Sequence, residues 1–522
     1  MPRHLSLHPG GVVLAPGSLH DFVPTQIAAK ELDGFPDLPV PVIQFEKDGA
    51  EDAGLVKIDL LGNRSLAVIR DGIRAVAAHT GRQIDYTSDD PDSDTKTRAL
   101  FAAGSTMGVF YTESPASRQL CLKSRAETYD LLVLNTSIIR PASNKYIRIY
   151  LERLHGAPWE PLHECLRDVL ADTFGIMVYQ EDVVNVCHAF AGMPLSAGDG
   201  VRKALSKKRP TKALAAYAEE FTRGALALGR DPAVIETVWQ MVLSFAGYSF
   251  CKGHSCSYIK VAQHSCYLRA HHPAEFISAV LANGGGFYRP FAYIAEARRM
   301  GIRILPPDVN ASRWETYGHD DWVRVGFQFV SGLSGRAAEK LQAVGRSGGQ
   351  AARSVEDLSR TVGLGRDDIR TLIKVGACDS IANGQTRPQM LWAIDAEAAD
   401  RTPAAQLTAR PPDRLTAPAL PEYTTDRRRR MEYELLGFVV DHHPMALYEE
   451  QLSRWRTIRS TEMAAHVGQT VLMAGMLTTA KPVSTLHDEP MEFATFDDGH
   501  GLIETVLFPE VYKARVHVLF DQ

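Results

Sequence analysis

The chain has 522 residues, 45% of them hydrophobic and 23% charged, with a net charge of −5. That length holds about three domains, and the composition excludes disordered and collagen-like chains. No run is long and apolar enough to cross a bilayer, the first residues lack the apolar core of a secretory signal, and the seven cysteines are mostly scattered; the expectation is a cytoplasmic protein with no membrane partner.

Residues 1–60 read as β-rich, with strands predicted over 11–16, 40–45 and 54–62. In the third, Leu55, Lys57, Asp59 and Leu61 share one face and Val56, Ile58 and Leu60 the other. With the second face buried, Lys57 and Asp59 stand side by side. The carboxylate is a candidate divalent-metal ligand and the lysine a candidate phosphate contact. A surface ion pair gives the same pattern.

From 63 to about 310 the pattern is helical. Residues 65–79 carry apolar side chains at helical spacing and end at Gly81. The acidic run 88–94 lacks the central glycine and closing glutamate of a calcium loop and reads as a solvated loop before a helix over 95–102. Residues 108–114 resemble the start of a helix. The stretch 201–210 packs five cations into ten residues, among them Arg202, Lys203, Lys207 and Lys208. It is either a phosphate-binding corner or a solvated face.

The stretch 244–258, SFAGYSFCKGHSCSY, is the densest in polar chemistry. Gly247 and Gly253 each cost roughly 1 kcal/mol inside a helix, which suggests backbone brought close to something else. Lys252, His254, Ser255 and Tyr258 all donate hydrogen bonds, as an anionic ligand such as a triphosphate requires. A polar loop between two buried helices is the competing reading, with the next helix running from about 257 to 270. Cys251, His254, Cys256, His264 and Cys266 also lie within sixteen residues, which raises zinc, although the spacing is not a usual structural one.

Beyond 311 the character changes. Gly332-Leu-Ser-Gly335 and Val362-Gly-Leu-Gly365 each precede a helix. Such turns free backbone amides that can grip a DNA phosphate without reading sequence; ordinary helix–turn–helix packing also fits them. Residues 398–425 read as a linker, and 427–430 open a helix that runs to Gly437. Strands follow over 471–477, 492–497 and 502–508, with a hairpin turn at 497–501; they suggest part of an OB-fold.

Taken together, these motifs resemble the C-family of bacterial DNA polymerases, that of the DNA polymerase III alpha subunit, in order and over essentially the whole chain. His8-Pro-Gly-Gly-Val-Val-Leu-Ala-Pro16 and Ala53-Gly-Leu-Val-Lys-Ile-Asp59 are similar to palm segments, the second bearing the family's third catalytic aspartate. Thr106-Met-Gly-Val-Phe110 with Glu113-Ser114, residues 173–182, Arg202-Lys203 with Lys207-Lys208, and Phe245-Ala-Gly-Tyr-Ser-Phe with Lys252-Gly-His254-Ser255 resemble its fingers. Asn283-Gly-Gly-Gly-Phe-Tyr288 leans toward the error-prone, translesion branch.

The resemblance implies an α+β multidomain chain: part of a palm (1–62), large helical fingers (63–310), a tandem helix-hairpin-helix domain (311–400), a linker and helix (401–469) and an incomplete OB-fold barrel (470–522). It implies Asp59 as a catalytic Mg²⁺ ligand. Lys57, Arg202, Lys203, Lys207, Lys208, Lys252, His254, Ser255 and Tyr258 become nucleotide contacts, and Gly332, Gly335, Gly363 and Gly365 DNA contacts. The implied activity is template-directed DNA synthesis from dNTPs on primer-template DNA. The family's first two palm aspartates, its thumb and its amino-terminal phosphoesterase-like domain have no counterpart in this sequence. The expectation is therefore a chain inactive alone: a fragment, one half of a split enzyme, or a non-catalytic DNA-binding module. Arg140-Pro-Ala-Ser143 departs from the family's Arg-Pro-Gly-Pro, and Gln406-Leu-Thr-Ala-Arg410 lacks the aromatic of a sliding-clamp motif, which puts clamp binding in doubt.

Overall fold

A computed structural model describes residues 8, 10–29, 38–60, 62–140, 144–205, 212–244, 250–344, 351–400, 417–485 and 487–520. The chain divides into two units, Met1–Arg64 and Ser65–Gln522.

In the first unit the alternating strands pair as two ribbons. Gly11–Leu14 runs antiparallel to Val56–Asp59, with Val13 opposite Lys57 and Gly11 opposite Asp59. Thr25–Ile27 pairs with Pro41–Ile43. The face expected to be buried is not: Val56 and Leu60 are 59% and 65% exposed, and Val12, Leu14 and Ile58 are exposed as well. A ribbon of two strands cannot cover its own apolar side.

The second unit is mostly helical, and its organising element is a 20-residue helix, Lys252–His271. It packs against helices Tyr129–Ile138, Thr95–Ala102 and Pro273–Ala282. Ile259, Ala262, Cys266 and Leu268 are fully buried in a core that extends through Phe101, Leu132, Phe276 and Tyr293 to Leu372 of the later helices. Residues 166–243 form a second core around Phe190, Phe221 and Trp239. The helix Arg64–Thr80 ends at Gly81, which takes the left-handed φ (+72°) that a glycine adopts without strain.

The acidic run 88–94 is not a free solvated loop. Asp94 caps the helix Thr95–Ala102 by accepting from Thr97 N, and His271 lies 3.0 Å from its other oxygen. Asp92 accepts from Gln263 Nε2 and Tyr129 N, and Asp89 from Tyr267 Oη. These carboxylates anchor the segment to the central helix.

Next, Arg303–Leu305 pairs in parallel with Trp322–Arg324, which pairs antiparallel with Tyr317–His319. Strands of three residues are too short to show an alternating pattern, so sequence missed them. Helices Gly335–Ala343, Val355–Arg360, Arg366–Lys374 and Arg387–Asp400 follow. Part of the expected linker is structured: Leu420 O accepts from Thr386 Oγ1, and Glu422 Oε2 from Arg387 N. Its residues 401–416, with Gln406, lie outside the described residues.

The last strands, Met476–Ser484, Pro490–Asp497 and Leu502–Leu507, form an antiparallel meander with the second at its centre. The first begins five residues later than expected. The helix Pro509–Phe520, which sequence did not anticipate, packs on the central strand. The unit is α+β as expected; among the described residues this sheet has three strands and does not close into a barrel.

Candidate nucleotide-binding surface

The central helix starts at Lys252, five residues earlier than its apolar pattern suggests. Cys251 is extended (φ −70°, ψ 120°) and occupies the cap position. Lys252, His254, Ser255 and Tyr258 therefore lie in the first two turns. A Cβ built on Gly253 would meet only Cys251 Sγ, at 3.8 Å, so this glycine leaves open space rather than relieving a crowded backbone. Gly247 lies outside the described residues. The positive end of a helix dipole disfavours cations by about 0.3–1 kcal/mol, and this first turn carries Lys252 and His254 with no acidic residue. Such a turn suits an anion.

Three other segments meet this helix start. Gln180 N donates to Phe250 O, and Lys252 N to Glu181 Oε2 at 3.2 Å. The Lys252 ammonium lies 5.1 Å from the centre of the Tyr179 ring and 3.7 Å from Asp172. The Arg140 guanidinium stacks 4.0 Å over Phe250. Tyr258 packs edge-on against Phe110 and Tyr111, at 5.1 and 5.0 Å, and sits 4.1 Å from His254. Tyr111 holds a left-handed backbone (φ +67°), costly for an aromatic residue. Burial pushes its phenol above the ordinary value. The sequence reading named the lysine–glycine–histidine run but missed Phe110, Tyr111, Tyr179 and Glu181 as its neighbours, because they lie about 70 to 150 positions away.

Ser255 is a correction. It is fully buried, and its hydroxyl lies 2.7 Å from Ser137 Oγ. It locks two helices together and faces away from solvent.

Arg202 and Lys203, on helix Leu195–Leu205, both bind Asp199, at 2.8 Å each. Arg202 also donates to Gln180 Oε1 at 3.1 Å, which ties this basic corner to the segment preceding the central helix. Lys207 and Lys208 lie outside the described residues.

Glu113 underpins the surface. Its buried carboxylate (Glu113 is 7% exposed) accepts from Gly108 N, Phe287 N and Tyr293 Oη, while Tyr288 Oη donates to its backbone carbonyl. Burial pushes this carboxyl up. One side chain thus joins the 106–114 segment to 283–288.

In the first unit, Lys57 donates directly to Asp59 Oδ1, and His8 Nδ1 lies 3.9 Å from the same oxygen. The hydrogen bond from Lys57 holds the Asp59 carboxyl below the usual carboxylate range. Among the described residues Asp59 belongs to no group of three metal-ligating side chains, and the charges that act on it most are Lys57, His8 and Lys47. One carboxylate flanked by cations does not fit a pair of Mg²⁺ ions, which need several oxygen ligands.

The two glycine-containing turns, 332–335 and 362–365, lie together. Ser334 caps the helix Gly335–Ala343, and its N–H and hydroxyl both donate to Asp368 at the start of the helix Arg366–Lys374. Lys340 donates to Gly363 O. Gly332 and Gly363 hold φ of +87° and +71°. Space is open at Gly332 and Gly335, whereas Lys340 and Asp368 crowd Gly363 and Gly365.

The rival zinc cluster does not converge. Residues 251 and 266 stand about 22 Å apart along the helix axis. Cys266 is fully buried with its thiol pushed up to about 12, Cys251 is exposed, and the His264 ring stacks on Tyr86.

Residues 65–229 match the family described as the bacterial DNA polymerase III alpha subunit finger domain, residues 1–62 the bacterial DNA polymerase III alpha NTPase domain, and residues 301–390 a helix-hairpin-helix motif. Among curated relatives, an error-prone DNA polymerase of Symbiobacterium thermophilum is 29% identical over 99% of this chain and 51% of its own length. The DNA polymerase III subunit alpha of Bacillus subtilis is 29% identical over 99% of this chain and 46% of its own. An error-prone DNA polymerase of Burkholderia pseudomallei is 30% identical over 100% and 49%. The chain spans about half the length of these relatives. No helix among the described residues is long and apolar enough to cross a membrane.

Proposed function

For a chain whose residues 65–229 and 1–62 match the finger and NTPase domains of the bacterial DNA polymerase III alpha subunit and whose residues 301–390 match a helix-hairpin-helix motif, we infer a part in template-directed DNA synthesis: holding the dNTP and the primer-template. The observation that carries this reading is the helix start at Lys252, where a lysine and a histidine occupy the positive end of a long helix beside Tyr258, Tyr111 and Arg140. The triphosphate lies against Lys252 and His254, with Arg202 and Lys203 extending the basic surface. Aromatic faces there stack on bases without reading their sequence. The Gly332 turn contacts the duplex backbone. Translesion use is an extension of this reading, supported by the names of two relatives.

A second reading is favoured by Asp59. Its pairing with Lys57, outside any group of three metal-ligating side chains among the described residues, supports a chain that binds DNA and nucleotide but does not transfer nucleotides unaided. The exposed apolar ribbon of Val12, Leu14, Val56 and Ile58 favours completion by strands from another polypeptide. Primer extension with Mg²⁺, by the chain alone and mixed with a neighbouring-gene product that carries further palm aspartates, separates the two. Extension that Asp59→Ala abolishes supports the polymerase reading. Silence in both mixtures, with primer-template binding retained, leaves the binding module.

A further inference from the structure

We propose that His79, His319 and Asp320 hold one Zn²⁺-class transition-metal ion that clasps the first finger helix to the β-hairpin of the 301–390 region. His79 lies in the last turn of helix Arg64–Thr80. His319 ends the strand Tyr317–His319, and Asp320 occupies the turn that follows. Sequence gives no hint of this meeting, because 240 positions separate its two sides.

The geometry is that of a ligand set. His79 Nε2 lies 3.3 Å from Asp320 Oδ2, and His319 Nδ1 lies 2.9 Å from the same oxygen. One donor atom from each residue falls within 4.8 Å of the other two. Bonds of 2.0–2.1 Å in a tetrahedral zinc site place ligand atoms about 3.3 Å apart, the distance His79 Nε2 already keeps from Asp320 Oδ2; metal uptake turns the two imidazoles so that their in-plane lone pairs meet at the ion. Their side chains are 30%, 32% and 61% exposed, which leaves room for that adjustment, an approach path and a fourth ligand from water. Among the described residues this is the one such cluster of metal-ligating side chains.

Two further features build the site. The His79 and His319 rings stack at 4.0 Å with 24° between planes, so without an ion their in-plane lone pairs run side by side and ligation opens this stack; His319 also packs at 4.4 Å against Trp322. Glu275, on the neighbouring helix Pro273–Ala282, is 3% exposed, and its Oε1 lies 3.7 Å from His79 Nδ1. A buried carboxylate facing the far nitrogen of a ligating histidine orients the ring and raises its basicity. Two imidazole nitrogens and one carboxylate select Zn²⁺ or Co²⁺ over Mg²⁺, which takes oxygen ligands. The site is independent of any nucleotide chemistry.

The test uses the full, tag-free chain stripped with EDTA and titrated with Zn²⁺ against a chromogenic zinc chelator, and with Co²⁺ followed by its visible spectrum. The expected result is one Zn²⁺ per chain, a Co²⁺ spectrum of low coordination number, and an unfolding midpoint raised by the ion. His319→Ala and His79→Ala should weaken binding by about 100-fold or more with unchanged circular dichroism, and Glu275→Gln by about 10–100-fold. Cys251→Ser with Cys256→Ser should leave binding intact. No stoichiometric uptake at micromolar metal overturns the proposal. So does uptake that survives both histidine variants or is lost in the cysteine variant.

Discussion

Arg299, at the end of helix Pro290–Arg299, donates from Nη1 to both carboxylate oxygens of Asp497, at 3.2 and 3.1 Å, and Asp497 is fully buried. Gly499 N donates to the same carboxylate. Arg299 also binds Glu296, which accepts from Arg269 of the central helix. A chain of buried charges therefore runs from the central helix to the last sheet. Breaking such a pair from one side leaves an uncompensated charge and costs about 3–5 kcal/mol. Asp497→Ala should lower stability by that amount in urea unfolding. If Asp497→Ala and wild type unfold at the same midpoint, the sheet is not locked to the helix in this way.

His443 sits beside that pair. Its Nδ1 accepts from Met445 N, and its Nε2 lies 3.5 Å from Asp497 Oδ1. Burial pulls its pKa down to about 4 from an ordinary 6.5, with Arg299 and Arg298 adding to the effect. The folded state thus releases a proton that the unfolded chain holds below pH 6.5. Its contribution is complete above pH 6.5 and is lost as pH falls toward 4, up to about 3 kcal/mol. Denaturant midpoints should fall through this window in wild type. His443→Leu should show less of that fall, and an identical slope in both would remove His443 as its source.

Glu113 predicts a graded series. Glu113→Ala strands the Gly108 and Phe287 N–H groups and the Tyr293 hydroxyl, and should cost about 3 kcal/mol or more. Tyr293→Phe removes one donor to that carboxylate and the acceptor of Tyr288 N, and should cost about 1–2 kcal/mol. Thermal unfolding of the two variants checks the order; a larger loss from Tyr293→Phe would contradict the role given to the carboxylate.

The helical unit was legible wherever periodicity and caps coincide, as at Gly81 after the helix Arg64–Thr80 and at Gly437 after Thr425–Leu436. It was illegible where the start of a helix is polar. The apolar pattern of Lys252–His271 begins only near Ile259, so its first turns looked like loop. Burial of a hydroxyl is equally hidden from sequence: Ser255 resembles a ligand donor until Ser137 is seen against it. The exposed ribbon of the first unit failed for the opposite reason, since alternation predicts an apolar face but not the layer that covers it. The Glu113 carboxylate left no signal in composition, because each of its partners is an unremarkable backbone or tyrosine group.

The surface at the start of the central helix makes the last prediction. Lys252→Ala and His254→Ala remove donors from the first turn without opening the core, since Lys252 and His254 are not buried. Each should weaken dNTP binding about 10- to 100-fold, or roughly 1.4–2.8 kcal/mol, with little change in unfolding midpoint. The loss should shrink at high salt as charges are screened. Ser255→Ala should do the reverse. It removes the bond between the two hydroxyls, although Ser137 keeps its donation to Val133 O, and lowers stability by about 1 kcal/mol, while dNTP affinity stays within a factor of about two. Isothermal titration and thermal unfolding of the three variants give both numbers. If Ser255→Ala weakens nucleotide binding as much as Lys252→Ala does, the buried hydroxyl reaches the ligand and the surface described here is not the binding face.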